Sequence, residues 1–167
     1  MTDKISYDDP LFKEVSDYYE LKVEWLQALV QIESGGRLDA HRWEPHILDY
    51  SLGLTQVLTS TACWMSTNSK AFPIPQDQWK ELICGVGEVQ DAGTKHLNRA
   101  MVDPAVNLYL GGAYLAYQLR RYNQDLLRSI AAYNSGSARL TSSGLFVNQA
   151  YVDKFLSAVK QHEGVSE

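Results

Sequence analysis

At 167 residues, 45% of them hydrophobic and with four tryptophans and ten tyrosines, the chain can bury one sizeable core, and a single domain is expected. A net charge of −5 excludes nucleic acid as the main partner, because phosphate binding is carried by clustered Lys and Arg. No apolar run approaches the ~20 residues of a membrane span, and Met1-Thr2-Asp3-Lys4-Ile5-Ser6 lacks the regions of a signal peptide, so cytoplasmic synthesis without membrane insertion is expected.

In chain order, residues 1–14 read as a polar lead-in, residues 15–162 as the working domain and residues 163–167 as a tail. Val15 to Ile32 predicts a helix or helix pair that stops at Ser34-Gly35-Gly36. Arg37 to Leu54 has turn residues (Asp39, Pro45, Asp49, Gly53) without helical periodicity and predicts a loop with at most a small β-hairpin. Thr59 or Ser60 is suited to cap a helix containing Ala62, Cys63 and Met65. Pro75 is placed to begin another, with Trp79, Leu82, Ile83 and Val86 on one face and Gly85 and Gly87 weakening it.

Asp103-Pro104 combines a capping acceptor with a first-turn proline, and Val106, Leu110, Ala113 and Tyr117 give the buried stripe of the helix that follows. Arg120-Arg121 suits its C-terminus. Gly111-Gly112 at mid-helix costs about 1 kcal/mol per glycine relative to alanine, which points to a second helix packed closely there. Leu127, Ile130, Ala131 and Asn134 form a further helical face ending near Gly136, and Asn148 caps a last helix carrying Tyr151, Val152, Phe155 and Val159. The fold expected is mainly α, a single helical domain. Cys63 and Cys84 are too few for a disulfide framework and belong to no metal-ligand cluster, so both are expected to be reduced core residues.

Chemistry concentrates at Glu33. Leu26, Leu29, Val30 and Glu33 share one helical face, so the carboxyl points where the apolar residues point, immediately before helix-breaking residues. Burial there raises the pKa toward working pH and keeps a proton ready for a leaving oxygen. Asp49-Tyr50-Ser51-Leu52-Gly53-Leu54-Thr55-Gln56 and Ala131-Ala132-Tyr133-Asn134-Ser135-Gly136 each set uncharged hydrogen-bonding groups beside glycine, where backbone can approach a ligand.

Glu33-Ser34, Gly53-Leu54-Thr55-Gln56, the run Asn107 to Leu115 and Ala132-Tyr133-Asn134-Ser135-Gly136 together resemble the soluble-type lytic transglycosylases, a glycoside hydrolase group with a lysozyme-like fold. The resemblance covers about Val23 to Val159 and implies a lysozyme-like α+β domain with a cleft. It also implies that Glu33 is the single catalytic acid and base, cleaving peptidoglycan between N-acetylmuramic acid and N-acetylglucosamine to leave a 1,6-anhydro end. Gln56, Tyr133 and Asn134 would line the sugar site, Tyr133 turned toward Glu33 and the two amides bonding acetamido groups; Ser51 and Tyr151 join them as substrate-site candidates.

The resemblance implies peptidoglycan strands as the partner, no cofactor or metal, a monomer, and a phage endolysin or virion-associated lysin that acts on the cell wall. Thr55 departs from the family's methionine and is expected to alter a sugar subsite. The loop between Glu33 and Gln56 is long and contains Arg42, Glu44, His46 and Asp49. With Asp49 or Glu44 roughly 6.5 to 9.5 Å from Glu33, the same chain would be an inverting, goose-type-lysozyme-like hydrolase. A peptidoglycan-binding module without turnover is the alternative of another class. His46 has no partner at ligand spacing, and His41, His96 and His162 read as surface or capping residues.

Overall fold

A computed structural model describes residues 3–68, 70–75, 78–84 and 99–164, with Gln78 and Arg99 described by their backbone alone. The expectations for Gly85, Val86, Gly87 and His96 lie outside the described residues. The elements run α1 (Pro10–Tyr18), α2 (Val23–Ser34), β1 (His41–Glu44), β2 (Asp49–Leu52), β3 (Val57–Leu58), α3 (Thr59–Thr67), α4 (Gln78–Cys84), α5 (Arg99–Val102), α6 (Pro104–Arg121), α7 (Leu126–Ser135) and α8 (Gln149–Glu163).

The anticipated mainly helical fold is what forms. The first helical stretch is a pair, and α1 begins inside the segment read as a lead-in, because Asp9 caps Leu11 N–H and Pro10 opens the first turn. The chain before it is also engaged. Ile5 N–H donates to Gly36 O at 3.0 Å and Leu38 N–H to Asp3 O at 3.1 Å, so this strap buttresses the turn after α2.

The loop expected with at most a hairpin is instead a three-stranded antiparallel sheet in the order β1-β2-β3, with Arg42 opposite Ser51 and Leu52 opposite Val57. Asp49 anchors it to the next helix. Its carboxylate accepts from Tyr50 N–H, from the Thr59 and Ser60 hydroxyls and from Ser60 N–H. Thr59 and Ser60 therefore do not cap α3 themselves; the cap acceptor comes from ten residues upstream. Pro75 likewise does not begin α4, which starts at Gln78, and Leu82 faces solvent while Trp79 and Ile83 are buried.

The center of the fold is α6, buried nearly all round from Val106 to Leu119. Asp103 caps Ala105 and Val106 as its sequence predicts. The two mid-helix glycines answer to different neighbours. A Cβ on Gly112 would lie 2.9 Å from Tyr19 and Val15 of α1, the helix approach expected, whereas a Cβ on Gly111 would lie 2.4 Å from Thr55, which is in a loop. On α7, Ile130 and Ala131 are buried while Leu127 is exposed. Asn148 precedes α8 and accepts from Tyr151 N–H through its backbone carbonyl, but its side chain caps none of the helix's N–H groups.

Cys63 and Cys84 are not reduced: they form a disulfide with Cα atoms 4.9 Å apart that ties α3 to α4. Packing of the two helices brings together residues whose sequence separation of 21 hid their proximity. No helix among the described residues is long and apolar enough to cross a membrane.

Candidate active site

The site begins at the last turn of α2. Leu26, Leu29 and Val30 are fully buried, and Glu33, one turn further on the same face, opens into a groove of about 420 Å³. Gly35 ends the helix in the left-handed conformation (φ 62°), its N–H returning to Val30 O and Gln31 O. Ser34 is buried and structural, donating to Val30 O and accepting from Gly36 N–H.

Burial pushes the Glu33 carboxyl up to about 7. Its place at the negative end of α2 acts in the same direction. A hydrogen bond from the Tyr151 hydroxyl to Oε1 and the Arg42 guanidinium oppose the rise, while Glu44 adds to it. Tyr151 fixes Oε1, which leaves Oε2 to carry a transferable proton. Held near 7, one carboxyl can donate and then accept a proton at neutral pH.

The sequence candidates do not all meet here. Ser51, Gln56, Tyr133 and Asn134 line the groove together with Glu33 and Glu44. Ser51 Oγ donates to Glu44 Oε1 at 3.0 Å, and the same oxygen pairs with Arg42 Nε at 2.5 Å. Gln56 donates both amide hydrogens inward, to Ala40 O at 3.1 Å and Gly53 O at 2.9 Å, so its carbonyl oxygen is what it can offer a ligand. Asn134 accepts from Asn148 Nδ2 at 2.9 Å through Oδ1, which keeps its amide donors for the groove.

The hydroxyl that bonds Glu33 is that of Tyr151 and not that of Tyr133. Tyr133, expected to turn toward Glu33, donates instead to Thr55 O at 3.0 Å, and the contact with Glu33 belongs to Tyr151, which had been grouped with the sugar-binding candidates. Burial raises both phenols well above their usual pKa, the nearby Glu33 charge adding to it, so both remain donors. Asp49 lies outside the groove lining, its oxygens committed to α3. His41 is exposed against Asp39 O, His46 is exposed, and His162 is tucked against the Tyr7 ring at 4.9 Å.

Thr55 was expected at a sugar subsite, yet it is wholly buried beneath Gly111. Its N–H and hydroxyl both donate to Asn107 Oδ1, at 2.8 and 2.7 Å, while Asn107 Nδ2 donates to Leu52 O and Met101 O. Asn107 therefore satisfies every polar atom of its own amide and clamps residues 52–55 to α6. That clamp sets both Gln56 and the carbonyl that holds Tyr133. Gly53 is required beneath it, since its φ is +73° and a Cβ would lie 2.3 Å from Asn107 Nδ2.

Sequence reasoning missed Tyr114 and Arg42 as groove residues. Tyr114 stood within the Asn107-to-Leu115 run, three positions beyond Gly111 on the helix that Thr55 abuts, and that spacing was its signal. Arg42 gave none, because its position depends on strand pairing.

The transglycosylase SLT domain matches residues 10–148. No curated protein matches by sequence. Among solved structures, the chain is similar to the lytic transglycosylase Slt of Pseudomonas aeruginosa, in an inactive Glu-to-Gln mutant form, with a TM-score of 0.65 and 20% identity. That likeness covers 96% of this chain and 25% of the other, so the chain spans about a quarter of that protein, and it is a likeness of fold, the lysozyme-like one. With the match running from the start of α1 to the cap of α8, the chain belongs to the transglycosylase SLT domain family.

Proposed function

We propose that this domain is a peptidoglycan lytic transglycosylase acting on the β-1,4 bond between N-acetylmuramic acid and N-acetylglucosamine. The observation that carries the reading is the groove carboxyl of Glu33, raised to about 7 and held by one tyrosine hydroxyl, while the other carboxyl in the lining, Glu44, is paired with Arg42. Protonated Glu33 gives its proton to the glycosidic oxygen as the C1–O bond breaks. The muramic C6 hydroxyl then bonds to C1, and Glu33, now a carboxylate, takes the hydroxyl proton and returns to its starting form.

An internal nucleophile has a high effective concentration, so the reaction needs no second carboxylate. Gln56 and Asn134 present an acceptor and donors for acetamido groups, and Tyr133 holds the groove wall. The inverting hydrolase is disfavoured on two grounds: Asp49 is committed to α3, and one oxygen of Glu44 is held by both Arg42 and Ser51. The Cys63–Cys84 disulfide supports work outside a reducing cytosol, at the wall itself.

Glu33→Gln keeps size and hydrogen bonding but cannot donate the proton. It should lower release of soluble fragments from purified peptidoglycan by at least about 10³-fold while wall binding in a sedimentation assay persists. Unchanged turnover in that variant would overturn the assignment, as would a wild-type protein that binds wall without releasing anything.

A further inference from the structure

Two helices each carry a groove residue and, one turn further, an aromatic ring. On α3 Thr61 lines the groove and Trp64 follows three positions later; on α6 Tyr114 lines it and Tyr117 follows three positions later. The two outer rings meet, with centroids 5.8 Å apart. Tyr117 also lies nearly parallel to Tyr114, at 10° and 6.3 Å, and Tyr114 is 5.1 Å from Tyr133. A continuous run of rings thus leads from the Glu33 wall to the surface, where Trp64 rests edge-on against Phe72 and remains 46% exposed.

We propose that Trp64 and Tyr117 form an additional saccharide subsite that continues the groove and takes an N-acetylhexosamine of the same glycan strand, beyond the sugars at Glu33. The inference rests on the proposed peptidoglycan substrate. Three helical positions advance about 4.5 Å, the scale of one pyranose ring, so the step from Thr61 to Trp64 and from Tyr114 to Tyr117 carries the aromatic surface about one sugar beyond the groove lining. An exposed indole offers a flat apolar face to the C–H face of a pyranose, and such a contact needs no charge. That suits an acidic protein on an anionic polymer.

Polar residues follow the ring in the chain. Thr67 and Asn68 follow Trp64 at the exposed end of α3, their side chains both donating to the Trp64 backbone carbonyl, at 3.0 and 2.8 Å. Continuity with the groove favours a glycan over a protein partner, because the rings extend an existing lining instead of forming a separate apolar patch.

The test is calorimetric titration of the Glu33→Gln protein with the β-1,4-linked N-acetylglucosamine disaccharide and hexasaccharide. The hexasaccharide should bind more tightly; adding Trp64→Ala should weaken it about tenfold and leave the disaccharide unchanged. Trp64→Phe, which preserves packing on Phe72, should lose part of the effect and covers the case in which the alanine variant does not fold. Equal loss for both lengths, or no loss, overturns the subsite. Failure of the two readings is separable: lysis with anhydro products but no length-dependent loss removes the subsite alone. A length-dependent loss in a protein that lyses nothing removes the activity alone.

Discussion

Glu33 couples chemistry to stability through one carboxyl. Its folded pKa of about 7 stands above the ordinary 4.5 because burial penalises the charge. A raised carboxyl pKa contributes stability that is fully present below 4.5 and is lost as pH rises through about 7. At pH 8 the wild type therefore bears a cost of about 2 to 3 kcal/mol that Glu33→Gln removes. The variant should melt several degrees higher than wild type at pH 8 and at the same temperature at pH 4; equal melting at pH 8 would contradict the burial argument. Activity should fall as pH rises above about 7, as the acid form is lost. Tyr151→Phe removes the hydrogen bond that favours the charged form, so the alkaline limb of the pH–activity profile should move to higher pH. A limb that stays in place would show that Tyr151 does not act on Glu33.

Among the elements, α6 and the loop it clamps decide the groove's shape. Asn107→Ala would strand the Leu52 and Met101 carbonyls and the Thr55 N–H in a buried place, so unfolding in urea should show a loss of about 3 to 5 kcal/mol. Gly111→Ala should cost about 1 to 3 kcal/mol, because its Cβ would overlap Thr55, and it should reduce turnover by displacing Gln56. A fully stable Gly111→Ala protein would mean the loop can yield freely. These elements also show what a sequence conveys. Asp103-Pro104 marked the start of α6, and the apolar face with Ser34-Gly35-Gly36 marked Glu33, because caps and periodicity are local. Of the sheet no more than a hairpin was legible, since strands of four, four and two residues carry too little alternation to read. The bond from Tyr151 to Glu33 could not be read from the sequence because it spans 118 residues and depends on how α8 lies along α2.

For the molecule as a whole, a central buried helix fixes one wall of the groove, the small sheet the other, and α2 and α8 bring acid and tyrosine together. The disulfide acts at this scale too, closing a loop over 21 residues that joins α3 to α4. Its reduction should lower stability by about 3 kcal/mol, read as a drop in melting temperature with reductant; no change would mean the two helices hold without it. The disulfide was not legible in the sequence, since only the packed fold brings the two cysteines within reach. The most direct measurement of the central claim is mass spectrometry of the muropeptides released from purified peptidoglycan. One-carboxyl chemistry at Glu33 predicts products lighter by one water than hydrolysis products, ending in 1,6-anhydromuramic acid. Reducing ends throughout would contradict it and make the protein a hydrolase.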